Sequence, residues 1–181
     1  MVTITFEAHG TSFDNEAHIS SGLFDVELSS LGKEQSKELG ERYKNEQLDA
    51  IFVSELKRSY HSGEIAFLGR GIPIIKDQRL NECDYGDMTH FPSSQIEAVR
   101  SQYLEFPFPN GESYLQTNAR MKNFLRDLLK NYDGKKVLII GHRATQYGLE
   151  SLVNGVELKK AVTDPWKWHP GWVYFLDKVE A

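Results

Sequence analysis

The chain has 181 residues, of which 40% are hydrophobic and 26% charged, a balance that suits one soluble globular domain over residues 1–181. Its formal net charge of −5 argues against a nucleic-acid partner, because such binding rests on clustered Lys and Arg. No apolar run is long enough to cross a bilayer, so no membrane partner is expected either.

The N-terminal residues MVTITFEAHG lack a basic start followed by a long apolar run and do not read as a signal peptide. They alternate instead: Val2, Ile4 and Phe6 against Thr3, Thr5 and Glu7, which predicts a first strand over Val2–Ala8. Polar turn-formers occupy residues 10–15. A helix is expected from Ser29, capped by Ser29 or Ser30, with Leu31, Leu39 and Tyr43 near one face and Gly32 and Gly40 disturbing its regularity.

Ala50-Ile51-Phe52-Val53 is a continuous apolar run, as in a strand covered on both faces, and Leu56, Tyr60, Ile65 and Phe67 mark a following helix. Pro73-Ile74-Ile75-Lys76 predicts a third strand. Residues 77–110 are polar and irregular, with a helix expected over residues 94–103. The lone Cys83 excludes an internal disulfide and fits a reducing compartment, so a cytoplasmic protein is expected.

A long helix is predicted over residues 111–132, with Leu115, Met121, Phe124, Leu125, Leu128 and Leu129 on its apolar side. Lys136-Val137-Leu138-Ile139-Ile140 is the clearest buried strand, ending at Gly141-His142. Another helix and a last strand, Trp172–Leu176, complete the chain. Strands alternating with helices predict a three-layer α/β/α sandwich with a mostly parallel central sheet. Oligomeric state is not encoded in any pattern found.

In such sheets ligands collect at the carboxyl ends of the strands. One His or Arg at a strand end is usually a structural residue. Here His9, the segment from Ser54 to Arg58, Glu82 and His142 follow successive strands, and together they predict a site.

These residues carry a resemblance. His9-Gly10-Thr11-Ser12-Phe13-Asp14-Asn15, followed by Ser21-Gly22, resembles the opening signature of the histidine phosphatase superfamily, the phosphoglycerate mutase-like family. Ser54-Glu55-Leu56-Lys57-Arg58-Ser59 resembles its second signature. Arg79-Leu80-Asn81-Glu82 with Tyr85-Gly86 resembles its acid-carrying loop, and Gly141-His142 its last signature. The matches occur in family order.

The resemblance implies a metal-independent phosphatase without a cofactor, acting on a small phosphorylated substrate through a phosphohistidine on His9. His9 attacks through one ring nitrogen while a backbone carbonyl fixes the other. Arg58 presents a planar fork to two phosphate oxygens, and His142 donates another bond, protonated if its surroundings allow. Gly10, Thr11, Ser12, Asn15, Ser21 and Gly22 surround the phosphate, the 10–12 loop adding amide and hydroxyl donors. Glu82 is the general acid and base, with Asp84 a neighbouring candidate. Thr89, His90, Trp166, Trp168 and His169 are candidates for a substrate mouth.

The pattern departs from the family at one place. Where the family has an Arg before the nucleophilic His, this chain has Ala8. Losing one preorganised donor typically costs about 10²–10³ in rate, roughly 3–4 kcal/mol. Arg143, directly after His142, is the expected substitute; its other reading is a helix-start residue bonded to Glu7 or Glu150. The alternatives are a phosphoglycerate mutase-type phosphotransferase, and a binding module weakened or inactivated by Ala8. The short segment between Arg58 and His142 favours the phosphatase over the mutase. A metal hydrolase lacks any HxH, HExxH or Cys/His pattern.

Overall fold

The computed structural model describes residues 1–179. In chain order the elements are β1 (Val2–Ala8), α1 (Phe13–Glu16), α2 (Ser30–Arg42), β2 (Ala50–Val53), α3 (Lys57–Phe67), β3 (Ile74–Lys76), α4 (Ser93–Val99), α5 (Tyr114–Tyr132), β4 (Lys136–Gly141), α6 (Arg143–Leu152), α7 (Leu158–Thr163) and β5 (Trp172–Leu176). The sheet runs β3-β2-β4-β1-β5. β1 to β4 are parallel, and β5 closes the β1 edge antiparallel.

This order follows from the handedness of the crossovers. From β1 the chain moves to β2 and then β3 in one direction, so α2 and α3 lie on the same face, where they pack together. The return to β4 reverses direction and puts α5 on the opposite face. The two-residue side-chain period of the strands then divides the core. Ala50, Phe52, Val137 and Ile139 pack with Met121, Phe124, Leu125 and Leu128 of α5 and Leu149 of α6. Ile51, Val53, Leu138 and Ile140 pack with Leu39 of α2 and Ala66 and Phe67 of α3. The architecture is therefore the expected three-layer α/β/α sandwich.

Local differences have local causes. α2 is regular through both glycines, which are contact points. A Cβ on Gly32 would stand 2.0 Å from Thr11 O, and one on Gly40 would stand 2.6 Å from Ala66 O. The buried stripe of α2 is Gly32, Ser36 and Leu39, which leaves Leu31 on the outer side, 53% exposed. Ile65 of α3 likewise points outward, because Ser59, Ser62, Gly63 and Ala66 supply the close face.

α5 begins at Tyr114 rather than near Gly111, because Ser113 and Gln116 form a capping box, and Leu115 falls outside its buried stripe. Residues 10–15 are not all turn: Ser12 caps the short helix α1. The helix expected over residues 94–103 is α4 followed by a 3-10 turn, Arg100–Tyr103. No helix among the described residues is long and apolar enough to cross a membrane.

Candidate active site

The register of the central strands builds the site. Ala8 pairs with Gly141 across β1 and β4, so the next residues, His9 and His142, emerge side by side. Their ring centroids are 5.0 Å apart, and His9 N–H still donates to Gly141 O at 3.2 Å. Val53 pairs with Ile140, which brings Ser54 alongside at the end of β2. Gly141 leaves room for this turn: a Cβ there would meet Thr145 Oγ1 at 2.9 Å and the Phe6 ring at 3.1 Å.

The ends of β1 and β4 form the floor of a cavity of about 520 Å³, lined by His9, Arg58, Glu82 and His142 among others. His9 Nδ1 lies 2.7 Å from Gly10 O, which makes Nδ1 the protonated nitrogen and Nε2 the free one. Burial and then the Arg58 charge push its pKa down to about 3, against a small opposing effect of the Gly10 bond. An edge of the ring remains open to the cavity, so His9 is a neutral, tautomer-fixed imidazole at the cavity floor.

His142 is more deeply buried. Its Nε2 is 2.7 Å from Ser54 Oγ, while Nδ1 has no partner among the described residues. Burial, then Arg58 and His9, hold its pKa well below the usual histidine range. The protonated form allowed for in the sequence reading is thus disfavoured, because two cation-forming neighbours share a desolvated space.

Arg58 enters from the second residue of α3 and is 3% exposed. Its Nη2 donates to Gly22 O at 2.7 Å and its Nη1 to Phe24 O at 3.0 Å. The 21–25 loop therefore wraps the guanidinium. Gly22 has φ +53, and a Cβ there would crowd the Tyr85 ring at 3.1 Å. Glu82 is also buried; Oε1 accepts from Cys83 N at 2.8 Å and from Ala144 N, in the first turn of α6, at 3.3 Å. Its backbone is clamped by Arg120, which donates to Glu82 O at 2.9 Å and to Arg79 O at 2.7 Å.

The loop donors differ from expectation. Gly10 N–H donates to Ser62 Oγ, Thr11 N–H to Gln35 Oε1 and Ser12 N–H to Asn15 Oδ1, so all three amides are already engaged. Ser12 Oγ caps α1 and its side chain does not line the cavity. Gly10, Thr11, Asn15, Ser21 and Gly22 do line it. Ser21 Oγ donates to Asp14 Oδ2 at 2.8 Å.

Arg143 lines the mouth of the cavity, with Nη1 2.8 Å from Glu97 Oε1 and Cζ 4.9 Å from the centre of the Trp166 ring. Its partner is neither Glu7 nor Glu150. Glu7 is bonded by Tyr43 and paired with Arg42, and Glu150 accepts from Tyr174 and Asn154. Trp166 and Trp168 line the cavity; Thr89, His90 and His169 do not, and Asp84 caps the turn at Gly86 instead.

Sequence reading missed Ser54 as the partner of His142, Ser62 and Arg120 as supports, and Arg100 as a lining residue. Arg100 had a visible signal, since Ser93, Ile96, Glu97 and Arg100 repeat at helical spacing and all face the cavity. Among the described residues no group of three or more His, Cys, Asp or Glu is placed to hold a metal ion.

Known proteins resemble this chain in sequence and in fold. Residues 4–168 match the histidine phosphatase superfamily (branch 1). Phosphoserine phosphatase 1 of Hydrogenobacter thermophilus is 29% identical over 171 residues, covering 88% of this chain and 80% of that protein. A 2,3-bisphosphoglycerate-dependent phosphoglycerate mutase of Rhizobium rhizogenes is 33% identical over 156 residues, covering 77% and 74%. Among solved structures, YhfR of Bacillus stearothermophilus superposes with a TM-score of 0.84 at 23% identity over 99% of this chain and 96% of that one. A mycobacterial glucosyl-3-phosphoglycerate phosphatase complexed with VO3 gives 0.79 at 22% identity over 88% and 85%. With its two imidazoles on adjacent parallel strands and a match that spans most of its length, the chain belongs to the histidine phosphatase superfamily, whose members act on small phosphorylated substrates through a phosphohistidine.

Proposed function

We propose that the protein is a phosphatase that hydrolyses small phosphate monoesters through a phosphohistidine on His9. The observation that carries this reading is His9 itself: neutral, fixed by Gly10 O, and beside the buried Arg58. Its Nε2 lone pair attacks phosphorus as the ester P–O bond breaks, and Glu82 delivers a proton to the departing alkoxide. Glu82 then takes a proton from water, the hydroxide attacks phosphorus, and the P–N bond breaks to return neutral His9.

Arg58 neutralises the equatorial oxygens, and its two carbonyl bonds hold the fork before substrate arrives. His142, which lines the cavity beside His9, supplies a further hydrogen-bond donor to the phosphate. Thr11 and Asn15 add side-chain donors. With Arg143 held by Glu97 and Trp166, we place it on the leaving-group side of the cavity, so the gap at Ala8 lowers the rate without abolishing it.

The test is p-nitrophenyl phosphate hydrolysis by the parent and a His9→Ala variant, with acid-labile phosphoenzyme trapped from the parent. Loss of turnover and of trapped phosphate in the variant is expected, as is full activity in EDTA. Tight phosphate binding with no phosphoenzyme would make the protein a binding module. Efficient bisphosphate-dependent transfer between phosphoglycerate hydroxyls would make it a mutase.

A further inference from the structure

The cavity extends past the nucleophile along β1. Phe6, Glu7 and Ala8 all line it, although Phe6 and Glu7 are each only 1% exposed. Side chains alternate along a strand, so Phe6 and Ala8 share a face, and that face ends in a methyl group beside His9. A longer side chain at residue 8 would fill part of this arm of the cavity.

The far wall of the arm comes from residues 164–171, which connect α7 to β5. This connection is held on both sides of Trp168. Trp166 donates its indole N–H to Gln146 Oε1, with the Arg143 guanidinium 4.9 Å and the Trp172 ring 5.8 Å from its ring centre. The His169 ring lies 3.9 Å from the Trp172 ring. Trp168 itself lines the cavity and is 55% exposed. Among the described residues its ring has one neighbour of this kind, the Arg42 guanidinium at 6.0 Å, and no aromatic partner. An indole held by its neighbours in the chain, with a face left open, loses little freedom when a flat ring settles on it.

The charges beside this wall leave no cation over for a second anion. Arg42 pairs with Glu7 at 3.1 Å, and Arg143 with Glu97 at 2.8 Å. Glu38 also lines the arm, on the exposed side of α2. Lys167 lies between the two tryptophans in sequence but does not line the cavity.

We infer that the arm beside Ala8 receives a planar aromatic ring of the leaving group, stacked on Trp168. The substrate class is a phosphate ester whose alcohol carries an uncharged aromatic ring. Trp168 is a specificity residue, distant from the bonds that change, and the small side chain at residue 8 is what admits the ring. The inference rests on the phosphatase reading, and its test separates the two.

Two esters carry a ring remote from the reacting bond and differ only in its unsaturation: 2-phenylethyl phosphate and 2-cyclohexylethyl phosphate. Both release primary alcohols, and the saturated ring is the more hydrophobic, so simple burial favours the cyclohexyl ester. The readout is the ratio of their kcat/KM values, in which any general loss of phosphoryl transfer cancels. The parent should favour the phenyl ester by about threefold to tenfold. W168L should bring that ratio to one or below, chiefly through KM, and W168F should retain part of it. A8L, which fills the arm, should remove the preference as well. A merely structural role for Trp168 would depress both esters equally and leave the ratio intact. No preference in the parent, or a preference that survives W168L or A8L, overturns the inference. Should the parent lack turnover on these esters and on p-nitrophenyl phosphate, the phosphatase reading fails. The same ratio is then read as binding affinities by calorimetry on the parent, W168L and A8L, with the same outcomes.

Discussion

His9 and His142 show how one residue type takes two states of confinement on adjacent strands. His9 keeps an open edge and a defined tautomer, whereas His142 is enclosed with Ser54 on its Nε2. With a pKa near 3, His9 should show no protonation in ¹⁵N NMR between pH 4.5 and 8, and its Nδ1 should carry the proton throughout. A titration near pH 6 would contradict the burial that makes it a ready nucleophile. Arg143 offers a second residue-scale test. Because one of its nitrogens is held by Glu97 at the mouth, R143A should bind vanadate within about threefold of the parent. A loss above tenfold would mean that Arg143 replaces the guanidinium missing at Ala8.

Among the elements, α2 and the loop after β1 approach more closely than side chains permit. Gly32 lies in the first turn of α2, where Gly→Ala ordinarily stabilises a helix by about 1 kcal/mol. Here the added Cβ would meet Thr11 O and C, backbone atoms two residues past the nucleophile. The sign should reverse: G32A should destabilise by about 1–3 kcal/mol in urea unfolding and lower kcat, since Thr11 cannot withdraw without moving His9. A stabilised, fully active G32A would show that the loop has slack.

The same contact explains what the sequence disclosed and what it hid. The strands were legible because β2 and β4 are apolar on both sides, and the four catalytic candidates because each follows a strand. Gly32 and Gly40 read as flaws in a helix because their partners, Thr11 and Ala66, lie far away in the chain. Leu31 and Ile65 misled for the complementary reason: the buried stripes of α2 and α3 use small or polar residues where backbones meet. The engaged amides of Gly10 and Thr11 were hidden likewise, since their acceptors Ser62 and Gln35 come from other helices.

At the level of the whole molecule, the buried histidines couple folding to pH. Unfolded histidines titrate near pKa ~6.5, whereas in the folded protein His9 is near 3 and His142 is well below its usual range. Below pH 6.5 the unfolded state therefore binds more protons than the folded one. Stability from these groups is complete above pH 6.5 and is lost progressively as pH falls toward 3. Urea midpoints should accordingly drop between pH 7.5 and 5, with proton uptake on unfolding approaching one per histidine. A His9→Asn variant should show a shallower slope. A flat profile would mean that these imidazoles are solvated in the folded protein.

The place of β4 has a consequence for how the chain acquires its structure. The strand between β1 and β2 is the fourth to be made, and Thr3 must wait for Lys136 before its ladder can form. Without β4 nothing bridges β1 and β2, and their central edges have no backbone partners. His9 then lacks both its neighbour imidazole and the Gly141 carbonyl that receives its amide. Pairing across such sequence separation is slow. The polypeptide therefore gains its central strand and its two juxtaposed imidazoles in one and the same pairing event.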